Sequence, residues 1–166
     1  MNLPRIIAST DDIASAMLRR VFAQWRALAG ERVAPPRSEI RPADFKFALP
    51  MLWIWDVVDG GKDFEFRLAG ERVRFFMNID YRHKRLSAFP KTAFAEEVRH
   101  VFGRCVEGRR PLIVGPAPMT YEPRRHHVVT VIVLPLSENG RDVTNMIGAT
   151  EAEALAELEP ALTIEA

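Results

Sequence analysis

The sequence predicts an α+β domain with one five-stranded, mostly antiparallel sheet, crossover helices on one face and an amphipathic N-terminal helix. Apolar residues recur at helical spacing in two separate segments, and five runs of strand length are alternating or continuously apolar. The order is helix, two strands, small helices, helix, three strands. Strands in this order can close one curved sheet, with a pocket beneath the helical bridge.

The first helix is predicted from about Asp11 to Ala29. Its apolar side chains recur at steps of three and four, and they are Ile13, Met17, Leu18, Val21, Phe22, Trp25 and Leu28. Ser9 or Thr10 is expected to cap its start, and Gly30 to end it. So broad a stripe has to be buried, against the sheet of the same chain or against a second subunit. The residues expected to bind a partner or a second copy are Met17, Val21, Trp25 and Leu28.

The first two strands follow a proline-rich connector at residues 34–50. They are predicted over Met51–Val58 and Phe64–Ala69, joined by a glycine turn at residues 59–62. Residues 52–55 are apolar at every position, which predicts a strand covered on both faces. In the second strand Phe64, Phe66 and Leu68 are expected to share one face.

The second half of the chain begins with a short basic stretch at residues 71–89, for which one or two small helices are predicted. A longer helix is predicted from Ala93 to about Glu107, capped by Thr92 and ended by Gly108. The apolar face of this bridging helix carries Phe94, Val98, Val101, Phe102 and Cys105. The last three strands are predicted over Leu112–Thr120, His127–Leu136 and Val143–Thr150, before an acidic tail.

Composition narrows the class of protein. The chain has 166 residues, 48% hydrophobic, and a formal net charge of +1, so no strong field is expected to draw it to nucleic acid or an anionic membrane. Its single cysteine cannot form an internal disulfide, and the first residues do not read as a signal peptide. A cytoplasmic protein with no nucleic-acid or membrane partner is therefore expected.

The residues that could carry chemistry lack the spacing that catalysis or metal binding needs. His100 on the bridging helix falls nearly opposite the apolar stripe, and His126 and His127 are strand neighbours that point to opposite faces. His83 has no partner at metal-ligand spacing. Cys105 lies within the apolar stripe, where a thiol keeps a high pKa and stays inert.

Catalytic motifs are not found in the sequence. No nucleophile elbow, phosphate-binding loop or dinucleotide fingerprint occurs. Asp56, Glu65 and Asp80 are not paired with a base at a recognisable spacing, and a lone carboxylate of this kind is usually a surface group. No catalytic residue, metal ligand or bound cofactor is predicted, and the chain is not expected to be an enzyme.

Four stretches resemble a family of small bacterial proteins made of little more than one PAS domain, once classed as a domain of unknown function. They are the helix containing Trp25, Pro36–Pro42 running on to Pro50, Phe64–Gly70, and Val133–Leu136 with Gly140 and 143–148. The resemblance covers about residues 20–150. It divides the chain into an N-terminal helical extension (1–33), a PAS-like domain (34–150) and an acidic tail (151–166).

The sequence departs from the family pattern in one region. The family usually has threonine after the glycine that matches Gly70, where this chain has Glu71. A later stretch of the family, glycine, any residue, aspartate, hydrophobic, threonine, glycine, corresponds here to residues 78–83. Asn78 can adopt a left-handed conformation, and His83 does so less easily. The mouth of the pocket is therefore expected to differ from that of relatives.

The resemblance implies a sensory domain that works in signal transduction and has a pocket between sheet and bridging helix. The residues expected to line it are Trp53, Trp55, Phe64, Phe66, Phe76, Tyr81, Phe94 and Phe102. If they fill the space, the domain acts only through contacts with another signalling protein, as a homodimer. If space remains, an apolar or heterocyclic ligand, haem or flavin can occupy it, and about 300 Å³ or more would favour such a receptor. A cone-shaped α+β enzyme is the third alternative.

Overall fold

The computed structural model describes residues 2–78 and 83–152. In these residues the strands are β1 (Arg5–Ile6), β2 (Leu52–Val58), β3 (Asp63–Ala69), β4 (Leu112–Pro118), β5 (Val128–Leu136) and β6 (Asn145–Ala152). They form one antiparallel sheet in the order β1-β4-β5-β6-β2-β3. The α-helices are α1 (Ala16–Ala29), α2 (Glu71–Met77) and α3 (Ala93–Gly108). The acidic tail begins within β6, and its residues from 153 onward lie outside the described part.

The sheet has six strands, so the prediction of five is wrong by one edge strand. The five predicted strands all join one sheet, and β1 adds to its β4 edge, where Arg5 pairs with Ile113 and Ile6 with Leu112. The peptide N–H of Ile7 extends the contact by donating to the carbonyl of Pro111 at 2.9 Å. A strand of two residues is too short to show alternation in a sequence.

Both faces of the sheet are covered, as the apolar run at residues 52–55 predicted. Leu52 and Ile54 pack on one side with α1, whereas Trp53 and Trp55 pack on the other with α2 and α3. Successive strand residues point to opposite faces, so each face of β2 contributes to a separate apolar layer. The sheet is therefore the middle of three layers.

Helix α1 starts later than predicted. Its first residue is Ala16, and the hydroxyl of Ser15 accepts a hydrogen bond from the N–H of Leu18 at 3.1 Å. Ser9 instead caps a separate 3₁₀ turn at Thr10–Asp12. Ile13 has an extended backbone between the two helical pieces, so the apolar spacing continues although the helix does not.

The apolar stripe of α1 is buried against the sheet of its own chain. Val21 is fully buried and Trp25 is 5% exposed, and the indole N–H of Trp25 donates to the carbonyl of Pro135 at 2.8 Å. Met17 and Leu28 are half-buried and pack on the same apolar layer. The central side chains of the stripe are therefore used within the chain, and the contact with a partner or second copy stays a prediction.

A β-bulge in β3 changes the face of one predicted core residue. Ile54 pairs with Leu68 and Trp55 with Phe66, so Arg67 is the extra residue between the two pairs. Phe66 remains on the α3 side of the sheet, whereas Leu68 is turned to the other face and is 37% exposed. The expectation that Leu68 shares a face with Phe64 and Phe66 is wrong for this reason.

The bridging region agrees with the prediction except at the end of α3, which includes Gly108 and is capped by Arg109 in the left-handed region. The side chain of Thr92 accepts a hydrogen bond from the N–H of Ala95 at 3.2 Å and so caps α3. Before α3, the basic stretch forms α2 and a 3₁₀ turn at Leu86–Ala88, and α2 ends at Asn78 in the left-handed region. His83 also has a positive φ of 63°. Helices α2 and α3 therefore lie over the same face of the sheet, where they enclose the candidate site.

Candidate functional site

An apolar cavity of about 150 Å³ lies between the sheet and helices α2 and α3. Six of the eight predicted pocket residues line it, namely Trp53, Trp55, Phe66, Phe76, Phe94 and Phe102. Aliphatic side chains of β4 and β5 complete the wall, among them Val114, Val129, Val131 and Val133. The helical bridge and the curved sheet therefore leave space that the aromatic side chains do not fill.

Aromatic rings in this layer meet mainly edge to face. The ring of Trp55 lies 5.1 Å from that of Phe66 and 5.4 Å from that of Phe102, measured between centroids, at interplanar angles of 85° and 66°. Such pairs contribute about 0.5–1.5 kcal/mol beyond the area they bury. Phe102 also contacts Trp53 at 5.7 Å, so α3 is anchored to β2 by one central ring.

The floor of the cavity depends on a glycine in the neighbouring strand. Trp53 pairs with Gly148 on β6, and a Cβ added to Gly148 would lie 2.1 Å from Cζ2 of the indole. The Trp53 ring can therefore occupy this place only because β6 has no side chain at Gly148. Its Nε1–H donates to the hydroxyl of Thr150 at 3.0 Å, which satisfies the buried indole.

One of the predicted pocket residues, Phe64, lies away from the cavity. Phe64 is fully buried but does not line the cavity, since it packs behind Phe102 with a centroid separation of 5.3 Å. Tyr81 lies outside the described residues. In the loop between β4 and β5, the hydroxyl of Tyr121 donates to the carbonyl of Met77 at 2.9 Å and so ties this loop to the end of α2.

One end of the cavity is polar, which sequence reasoning missed. Glu97 on α3 lines the cavity and is only 8% exposed. Its Oε1 accepts a hydrogen bond from the peptide N–H of Asn2 at 2.6 Å, and its Oε2 accepts one from the hydroxyl of Thr120. Glu97 lies three residues after Phe94 and four before Val101, so helical spacing places it at the border of the apolar stripe. This position beside the apolar stripe was the sequence feature that could have indicated that Glu97 is buried.

The N-terminal strap, residues 2–13, closes this polar end. Asn2 lines the cavity, and its side-chain amide donates to the carbonyl of Pro118 at 2.9 Å. The guanidinium of Arg5 donates to the carbonyl of the cavity-lining Gly115 at 2.9 Å. Ile7 and Ile13 are buried in the apolar layer of α1. The strap contains the edge strand β1, and it therefore connects the cavity on one face of the sheet with α1 on the other.

The histidines of the described residues do not line the cavity. His127 lies outside it, next to the Phe76 ring at a centroid distance of 5.6 Å and an interplanar angle of 64°, and His83 and His126 are exposed. His100 is half-buried on α3. No cluster of three or more potential metal ligands occurs in residues 2–78 and 83–152.

The thiol of Cys105 is unreactive because it is buried. The thiol is fully buried against the sheet, and burial raises its pKa to about 12 because a thiolate would be desolvated there. This agrees with the sequence-based interpretation of Cys105 as a core residue. A nucleophile or adduct-forming thiol needs the opposite environment.

The carboxylates Asp56 and Glu65 belong to a surface network away from the cavity. Asp56 accepts hydrogen bonds from the guanidinium of Arg67 and, at 2.7 Å, from the amide of Asn145. Glu65 lies 3.6 Å from Arg67 and 3.8 Å from Arg85. Both acidic groups are therefore paired with arginine side chains at the surface. Asp80 lies outside the described residues.

The family model described as the PAS domain matches residues 13–151, which is most of the chain. No curated protein and no solved structure shows a significant match to the chain. In the part of the chain that the structure describes, no helix has both the length and the apolarity of a membrane-spanning segment.

Proposed function

The chain belongs to the PAS domain family, and we infer that it is a sensory or regulatory module that acts by binding rather than by catalysis. The observation that supports this most is the apolar cavity between the sheet and α3. A cavity at this place lets the occupancy of the core alter the packing of the helices that cover it.

The volume of the cavity favours a small apolar ligand over a large cofactor. Pockets for drug-sized ligands span about 300–1,000 Å³, whereas a dry apolar cavity of about 150 Å³ in another protein admits benzene or xenon. The cavity here has about 150 Å³, which is below the roughly 300 Å³ expected of a receptor for haem, flavin or a heterocycle, so the proposal is limited to a ligand of about the size of benzene. The described residues that line it include no histidine to ligate a haem iron.

The side chains around the cavity favour binding over hydrolysis or proton transfer. Glu97 is the carboxylate among its described lining residues, and its oxygens already accept hydrogen bonds from Asn2 and Thr120. A general acid or base needs a reacting partner within hydrogen-bond reach, and a cone-shaped enzyme would place an acid–histidine pair there. This chemistry argues against the enzyme alternative.

Native mass spectrometry of protein purified from its own host tests the ligand proposal. Val98→Phe places a larger side chain into the cavity from α3, so the bound mass seen on the wild type is expected to be lost. Val106→Phe is the matched control, because Val106 lies on the same helix and is half-buried but does not line the cavity. Identical spectra for the three proteins, or a visible absorption band from haem or flavin, would contradict the proposal.

The output of the module is proposed to be contact with another signalling protein, with homodimerisation as a second form of contact. The inner stripe of α1 is buried within the chain, which leaves the outer face of the helix, with Arg19, Arg20 and Arg26 exposed. Cationic side chains on that face favour an acidic partner surface over a second copy of the same face.

Substitution of Trp25 tests whether the α1 stripe stabilises the fold of one chain or holds two copies together. Trp25→Ala is expected to lower the free energy of unfolding by about 3–5 kcal/mol, because it removes a buried indole and its hydrogen bond to Pro135. If the stripe works within one chain, this loss is the same at every protein concentration. Light scattering provides the contrary outcome. If the wild type is a dimer and Trp25→Ala is a folded monomer, the stripe forms the dimer interface.

A further inference from the structure

We propose that the cavity selects a small apolar molecule that carries one hydrogen-bond donor, and that this donor binds Glu97 by displacing the peptide N–H of Asn2. The proposal rests on the proposed function, because it names the ligand class of the same cavity. Its basis is the juxtaposition of one buried carboxylate, one backbone donor and an otherwise apolar wall.

Glu97 is an unusual residue for this wall. It is 8% exposed, and none of the ion pairs among the described residues involves it. Two neutral donors, Asn2 and Thr120, are the hydrogen-bond partners that the described residues supply. Burial of a carboxylate among apolar groups is costly unless donors compensate it. Both oxygens of Glu97 accept hydrogen bonds, so a ligand that replaces one of these donors has to donate.

The donor that Glu97 now holds lies at the start of the strap, before β1 pairs with β4. The Asn2 N–H lies 2.6 Å from Oε1 of Glu97 at the cavity wall. Beyond this bond, Asn2 is held by its amide on Pro118, and Arg5 by its guanidinium on Gly115 and by the pairing of β1 with β4. Leu3 between them is 68% exposed. A ligand donor can therefore replace the Asn2 N–H without disturbing the core.

Replacement of the Asn2 N–H by a ligand donor would link the cavity to the face of the sheet that α1 covers. The strap continues from Asn2 through β1 to Ile7 and Ile13, which are buried against α1. Release of Asn2 removes the first anchor of this segment, and the strap is the covalent connection from the cavity to α1. A ligand with a donor would change the strap, whereas a purely apolar ligand of the same shape would fill the cavity and leave the strap in place.

Benzyl alcohol and ethylbenzene provide the test, because they have nearly the same shape and only the alcohol has a donor. Dissociation constants are measured by NMR titration for the wild type and Glu97→Gln. The variant is expected to weaken benzyl alcohol roughly fivefold, since a neutral acceptor replaces a charged one, and to leave ethylbenzene within about twofold. Glu96→Gln, an exposed neighbour on α3, is the matched control and should change neither constant.

A second pair of variants tests displacement of the strap. In protein that keeps Met1, which intact mass verifies, Asn2→Pro removes the N–H that donates to Glu97, whereas Asn2→Ala keeps it and removes only the side-chain amide. Removal of the competing donor is expected to tighten benzyl alcohol severalfold in Asn2→Pro relative to Asn2→Ala, with ethylbenzene unchanged.

The outcomes separate this proposal from the one on which it rests. If wild-type protein binds neither compound, the cavity is not a ligand site and the proposed function fails together with the exchange. If both compounds bind and Glu97→Gln weakens them equally or not at all, the cavity remains a ligand site and the role of Glu97 is overturned. If Glu97→Gln acts as expected but Asn2→Pro and Asn2→Ala bind benzyl alcohol equally, the displacement of Asn2 is overturned.

Discussion

Gly148 shows how a single hydrogen atom in place of a side chain shapes the cavity. The indole of Trp53 occupies the space where a Cβ would stand, and Trp53 also forms the wall opposite α3. A glycine inside a strand normally weakens it, so its presence here indicates a close approach by another group. The aromatic floor therefore depends on residues from two paired strands.

Gly148→Ala is expected to destabilise the protein by about 2–3 kcal/mol, because Trp53 has to leave its position on the sheet. Gly103→Ala is the matched control. A Cβ at Gly103 meets nothing within 4 Å in α3, so alanine should stabilise the helix by about 0.5–1 kcal/mol. Chemical denaturation measures both, and equal effects of the two substitutions would refute the role given to Gly148.

At the scale of single residues, the sequence identified the aromatic lining but not the polar group within it. Trp53, Trp55 and Phe66 could be predicted because strand alternation places them on one face. Glu97 was missed because a charged residue at the edge of an apolar stripe usually points to solvent. Its burial depends on Asn2, which is 95 residues away and for which the local pattern gives no signal.

At the scale of elements, long periodic segments were predicted well and their ends less well. α3 begins after Thr92 as expected, since the capping residue directly precedes the apolar stripe. α1 begins five residues later than expected, at Ala16, because both Ser9 and Ser15 are suitable caps and the apolar residue Ile13 lies between them. Periodicity alone could not decide between the two serines.

The cap of α1 gives a direct test of that boundary. Ser15→Ala is expected to cost about 1 kcal/mol of stability, because the N–H of Leu18 loses its acceptor. Thr10→Ala, at a position where the sequence had suggested a cap, should cost less than about 0.5 kcal/mol, since Thr10 is exposed and its hydroxyl has no described partner. The reverse order in thermal unfolding would contradict the observed start of the helix.

At the scale of the whole molecule, the sheet with covers on both faces could be predicted from β2 alone. Its four consecutive apolar residues, 52–55, require an apolar layer on each side, which α1 and α3 supply. The size of the cavity could not be predicted, because it is a small difference between the volume enclosed by the layers and the volume of the side chains. β1 also escaped prediction, since its pairing is set by contacts of the strap beyond it.

We propose that the apolar space between the sheet and α3 takes a small molecule. A crystal structure of the protein under xenon pressure tests it directly, because xenon binds dry apolar cavities of about 150 Å³. A xenon atom is expected among Trp53, Phe76, Phe102 and Val131. If repacked aromatic side chains fill the same space and no xenon binds there, the cavity is not a ligand site.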